Sequence, residues 1–174
     1  MAERDPIIIA GAGPAGLTAA LALAAQGVPV RVFEAEPELP VDLRAGTYHP
    51  PTLEMLAPYG VTERMHVEGI KVRKWQIRDR KDGVLAEWDL DLLKNETPYP
   101  YRLHLEQHKL TPILLDEALK LPAFSIRFAA RLVAARDAGD HVLAEIETPA
   151  GREMVRGSYI VGCEGFRSAV RDAM

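Results

Sequence analysis

The sequence predicts an α/β fold: a parallel sheet with helices packed on it, plus a small antiparallel meander. Three observations carry this reading. A short apolar strand, a glycine-rich turn, a helix and a second apolar strand follow one another between Pro6 and Phe33, with no hairpin turn between the strands. A second helix, amphipathic, is expected over Glu106 to Leu121. Three alternating segments with glycine-containing turns then lie between Arg131 and Gly157, before a last apolar strand at Tyr159 to Gly162.

Taken in order, Pro6 to Ala10 contains Ile7, Ile8 and Ile9 and reads as a fully buried strand. Ala15 to Gln26 holds strong helix formers apart from Gly16 and Thr18, and Gly27 is placed to stop that helix. Val28 to Phe33 is β-branched and apolar, as a second buried strand should be. Pro37 to Pro51 is irregular, carrying prolines at 37, 40, 50 and 51. Pro51 can open a helix through Leu56 that Pro58 and Gly60 end. Lys71 to Asp79 and Val84 to Leu90 read as strands around a Lys81-Asp82-Gly83 hairpin turn, with Trp75 and Trp88 on the two arms. On the second helix, Leu110, Ile113, Leu114, Ala118 and Leu121 share one face. Ser125 to Phe128 is a further strand candidate. Arg131 to Ala135, His141 to Thr148 and Arg152 to Gly157 form the meander, and Tyr159 to Gly162 is expected to be buried.

Composition narrows the function. The 174 residues carry a net charge of −4, so no basic excess exists to neutralise nucleic-acid phosphates. The longest apolar run, around Ala15 to Ala25, is too short to span a bilayer, and no membrane association is expected. The N-terminal residues lack the basic region of a signal peptide. A single cysteine, Cys163, excludes an internal disulfide and a multi-thiolate metal site, and fits a cytoplasmic chain.

The chemistry-bearing signal is Gly11-Ala12-Gly13-Pro14-Ala15-Gly16, a G-x-G-x-x-G set between a buried strand and a helix. The first glycine makes the tight turn, the second lets the backbone approach a diphosphate, and the third lets helix and strand pack closely. The diphosphate then meets free N–H groups and the positive end of the helix dipole. Glu34 ends the second strand, where an acid receives ribose hydroxyls and repels a 2′-phosphate. NADP is therefore disfavoured at this site, and the fingerprint alone leaves FAD and NAD both open.

Further segments resemble the FAD-dependent aromatic hydroxylases, the flavoprotein monooxygenases of the p-hydroxybenzoate hydroxylase type. Leu43-Arg44-Ala45-Gly46, followed by His49-Pro50-Pro51-Thr52-Leu53-Glu54, is similar to the family's segment with a flavin-contacting arginine. Tyr101-Arg102-Leu103-His104-Leu105-Glu106-Gln107 resembles the strand leading to a helix-starting glutamine beside the flavin ribityl chain. Ile160 to Arg171, with Gly162-Cys163-Glu164-Gly165 and Ser168, resembles the family's DG motif, with Glu164 where the family usually has aspartate.

The resemblance implies a glutathione-reductase-like Rossmann domain binding FAD, with NADH or NADPH as electron donor and a small aromatic, phenolic substrate in the complete enzyme. The implied cofactor contacts are Gly11, Gly13, Pro14, Ala15, Gly16, Glu34, Ala35, Arg44, Gln107, Glu164 and Gly165. The flavin supplies the oxygen-transfer chemistry, which fits the lack of an obvious nucleophile or acid–base pair. Residues 1–174 are expected to be the N-terminal FAD-binding portion, without the family's later GD motif and most of its substrate region. Gly139-Asp140 is expected to be a hairpin turn and no substitute for that motif. The isolated chain is expected not to hydroxylate, and to self-associate through the surface the missing half would cover. Three other readings stay open: a non-catalytic FAD-binding module, a fragment that binds nothing tightly, and an NAD-dependent dehydrogenase, which would need further βα units after Phe33. His104 and His108 would share a face only if both were helical, and Cys163 is expected to be a small packed residue.

Overall fold

The computed structural model describes residues 5–41 and 45–174. Along the chain the elements are β1 (Ile7–Ala10), α1 (Pro14–Ala25), β2 (Val30–Phe33), β3 (Thr47–Tyr48), α2 (Pro50–Leu56), α3 (Val61–Glu68), β4 (Ile70–Val72), β5 (Lys74–Asp79), β6 (Gly83–Asp89), β7 (Arg102–His104), α4 (Gln107–Leu119), β8 (Phe124–Arg127), β9 (Arg131–Asp137), β10 (Val142–Thr148), β11 (Gly151–Gly157), β12 (Tyr159–Gly162) and α5 (Ala169–Asp172). Short 3₁₀ turns cover Ala57–Tyr59 and Leu90–Leu93. Among the described residues, no helix is long and apolar enough to cross a membrane. The chain divides into two compact units, Met1–Asp42 with Thr111–Met174, and Leu43–Leu110.

The first unit is built on the parallel sheet β12-β1-β2-β8. Ile7 to Ala10 pair in register with Val30 to Phe33 on one side and with Tyr159 to Gly162 on the other. The isoleucine run reflects cover on both faces, the condition under which parallel strands read as continuously apolar. On one face Ile8, Ala10 and Phe33 pack with Leu132, Ala144 and Ile146 of the β11-β10-β9 meander and Val170 of α5. Helix α1 packs along β1, β2 and β8, burying Leu17, Ala20, Leu21 and Ala24. Each fully buried aliphatic side chain contributes about 1.5–3 kcal/mol.

Helix α1 starts one residue earlier than expected, because Pro14 occupies a first-turn position where its missing N–H costs nothing. Gly27, at φ 75°, stops it as expected. Its N–H donates to the Ala24 carbonyl and the Val28 N–H to that of Leu23, the paired bonds of a left-handed helix stop. Gly139 turns between β9 and β10 at φ 95°, with the Ala138 N–H bonded to the His141 carbonyl, so Gly139-Asp140 is the expected hairpin turn. One expectation fails: β12 is not buried. It is an edge strand with β1 on one side, and Tyr159 stays 69% exposed.

The second unit holds the small sheet β3-β7-β4 and the hairpin β5–β6. The hairpin aligns Trp75 with Trp88, and the rings stack at 4.4 Å between centroids. The single strand expected over Lys71 to Asp79 is split at Arg73: β4 pairs with β7, whereas β5 pairs with β6. Helix α3, whose Val61, Thr62 and Met65 are buried, had no counterpart in the sequence reading. The Thr62 hydroxyl donates to the Leu53 carbonyl at 2.6 Å, tying α3 to α2. His104 lies on β7 and His108 on α4, so they share no helical face.

Candidate functional site

The glycine turn joins β1 to α1, and each of its glycines has a separate cause. Gly11 has φ 98°, which disfavours any side chain, and a Cβ there would lie 2.5 Å from the Cys163 carbonyl oxygen. A Cβ on Gly16 would overlap the carbonyl oxygen of Gly11. Gly13 is different. Its backbone is extended, φ −69° and ψ 178°, and a Cβ there would meet no atom of the described residues within 4 Å. Among the described residues, neither conformation nor packing calls for glycine at 13. A ligand passing close to the backbone would.

Gly13 also caps α1, without a side-chain hydrogen bond, and the first helical bond runs from the Leu17 N–H to the Gly13 carbonyl. The remaining first-turn N–H groups and the dipole face the space over Gly13, which suits a diphosphate. Pro14 and Ala15 form the start of that turn. Glu34 follows β2 directly. Its Oε2 accepts the Ala12 N–H at 2.6 Å and its Oε1 accepts the Glu36 N–H at 3.0 Å, across Ala35. A carboxylate has about four acceptor positions, so two remain for a ribose diol. The open cradle at Gly13 and this acid together fit an adenosine diphosphate group.

The segment after β12 lies against the same turn. The Cys163 N–H donates to the Ala10 carbonyl at 2.8 Å, and the Glu164 backbone nitrogen would be 3.1 Å from a Cβ on Gly11. The Glu164 side chain, however, turns into α5. It accepts the Ser168 hydroxyl at 2.9 Å and the Val170 N–H at 3.1 Å, while the Ser168 oxygen accepts the Arg171 N–H. Gly165 is exposed at φ 82°, a conformation that favours glycine. Burial, with the Glu164 carboxylate as a lesser cause, pushes the Cys163 thiol above its ordinary range, so it is a packed residue and a poor nucleophile.

The structure thus brings Gly11, Gly13, Pro14, Ala15, Gly16, Glu34, Ala35, Glu164 and Gly165 into one unit. Gln107 is in the second unit as the first residue of α4, its N–H bonded to the Ala45 carbonyl at 2.9 Å. Arg44 lies outside the described residues. That unit also contains three buried side-chain atoms with no hydrogen-bond partner among the described residues: Tyr48 Oη, Arg102 Nε and His108 Nδ1. Buried polar atoms of this kind ask for a partner that the described residues do not supply. Sequence reasoning missed Ala12 as a partner of Glu34 and Ser168 as the cap of α5. The Ser168 role was signalled by its place just before the last helical segment.

The family model described as the FAD binding domain matches residues 4–174. Para-nitrophenol 4-monooxygenase of Pseudomonas sp. (strain WBC-3) is 30% identical over 171 residues, covering 98% of this chain and 42% of that protein. The crystal structure of p-nitrophenol 4-monooxygenase PnpA from Pseudomonas putida DLL-E4 superposes with a TM-score of 0.93 at 29% identity, over 99% of this chain and 44% of that one. The flavin-dependent monooxygenase PieE, solved in complex with FAD and substrate, gives 0.86 at 25% identity, over 99% and 32%. The chain therefore spans less than half the length of these relatives. With its glycine turn, its acid after β2 and its parallel sheet, this chain belongs to the FAD-binding domains of the aromatic-hydroxylase-type flavin monooxygenases.

Proposed function

We propose that this chain is the FAD-binding portion of an NAD(P)H-dependent monooxygenase that hydroxylates a small phenolic ring. The observation that carries the reading is Gly13, a glycine that no described residue crowds, beside an acid with two acceptor positions to spare. In this reading Gly11, Gly13, Pro14, Ala15 and Gly16 admit the FAD diphosphate, and Glu34 with Ala35 holds the adenosine ribose. Gln107 and Arg44 serve the flavin side, and the Glu164-Gly165 backbone closes the turn from behind. When bound, FAD supplies the redox and oxygen-transfer chemistry; the protein binds, orients and shields it. NADH or NADPH is the reductant, and the single free Cys163 suits a reducing compartment such as the cytoplasm.

The isolated chain is inactive on this reading, because the reacting centre must be kept from water and the chain spans less than half the length of its relatives. It also self-associates. The open edge of β12 is flanked by a cleft of about 500 Å³ lined in part by Tyr159, Ile160, Val170 and Met174, and open strand edges and apolar surface invite pairing. The test of the binding function is gel filtration after incubation with FAD. Flavin absorbance is expected to travel with the wild-type protein and to be lost in Gly13→Ala. Protein that emerges colourless at FAD concentrations saturating for its relatives would overturn the proposal.

A further inference from the structure

Both oxygens of the Glu34 carboxylate are engaged before any ligand is present. One holds the Ala12 N–H inside the glycine turn at 2.6 Å, the other the Glu36 N–H at 3.0 Å. Hydrogen bonds to an ionised acceptor are about twice as strong as neutral ones. Ala12 is fully buried, so its N–H has no water to turn to if the carboxylate is removed. The carboxylate is itself held from behind. The Glu34 N–H donates to the Arg127 carbonyl, the Glu34 carbonyl accepts the Ala130 N–H, and the Glu36 carbonyl accepts the Ala129 N–H. Ala129 adopts φ 49°, a left-handed conformation that an alanine keeps only when its surroundings impose it. The end of β2 is a fixed arm whose tip grips the turn.

We propose that Glu34 is a positioning residue for the Gly11–Gly16 turn: it sets the turn in its diphosphate-accepting shape without ligand, and the ribose then shares the carboxylate rather than displacing the turn. The sharing half rests on the FAD reading above; the positioning half does not. One side chain then governs both turn order and ligand affinity, so its loss is felt with the site empty.

The test is site-resolved amide hydrogen exchange by NMR on the ligand-free chain, comparing wild type, Glu34→Ala and Glu34→Gln. In Glu34→Ala the Ala12 and Glu36 amides are expected to exchange at least about tenfold faster. The Ile9 amide, in the sheet core, serves as the control and keeps its wild-type rate. In Glu34→Gln the amide oxygen still accepts one bond, so Ala12 stays slow while Glu36 speeds up. FAD affinity falls about tenfold in Glu34→Gln, whose NH₂ cannot accept a ribose hydroxyl. Wild-type exchange at Ala12 in Glu34→Ala overturns the positioning role. If Glu34→Ala does not fold, wild-type exchange at both Ala12 and Glu36 in a folded Glu34→Gln overturns it instead. Unchanged FAD affinity in Glu34→Gln, with the exchange results as expected, overturns the sharing half and leaves the positioning half standing.

Discussion

At Gly16 a methyl group has nowhere to go, because it would enter the carbonyl oxygen of Gly11, whereas at Gly13 it would meet none of the described residues within 4 Å. The two glycines therefore separate folding from binding. Gly16→Ala is expected to lower stability by about 1–3 kcal/mol or more through overpacking against backbone, read as a lower urea midpoint. Gly13→Ala is expected to stay within about 1 kcal/mol of wild type, the usual scale at a helix cap. It should nevertheless lose about tenfold or more in FAD affinity, at 1.4 kcal/mol per decade. Equal effects of both substitutions on stability would show that Gly13 is structural. The six-residue motif was legible in the sequence because every residue of the turn is local, but its division of labour was not. Cys163, the residue that Gly11 must avoid, is more than 150 positions away in the chain. For the same reason Glu34 read only as a ribose acceptor: its bond to Ala12 spans 22 residues.

Elements defined by their own sequence were the legible ones. Helix α1 and the β5–β6 hairpin carry their start, stop and turn signals within a few residues of themselves. The break at Arg73 was hidden, because β4 and β5 are adjacent in sequence but pair with different partners. Helix α3 was hidden because its eight residues mix polar and apolar groups, and its burial comes from tertiary neighbours. That helix also contributes His66, whose Nε2 shares a hydrogen bond of 2.8 Å with the Tyr101 hydroxyl, with Lys71 over the Tyr101 ring. Burial, and then the Lys71 charge, hold His66 below the ordinary histidine range, partly opposed by Glu63. A histidine lowered in the folded state contributes stability that is present above its unfolded value, about 6.5, and is lost as pH falls through its folded value. Stability is therefore expected to drop on acidification below about pH 6.5, and His66→Gln should remove that part of the drop. Urea midpoints across this range check it; the same pH slope in both proteins would mean that His66 binds its proton equally well in the folded and unfolded states.

At the scale of the molecule, the parallel sheet was predicted from its apolar strands, while the exposure of β12 depends on what lies beside it in space. Supplied with FAD, NADH or NADPH and a panel of phenols, the 174-residue chain is expected to give no hydroxylated product by mass spectrometry. Turnover on the order of 1–1000 per second, typical of enzymes, would show a complete active site. The central claim is narrower: on the proposed reading, the turn and Glu34 receive the adenosine diphosphate end of FAD. NAD offers the same adenosine diphosphate without a flavin. Isothermal titration of the chain with FAD and, separately, with NAD is the most direct test. The account predicts that FAD binds more tightly; NAD binding more tightly than FAD would contradict it.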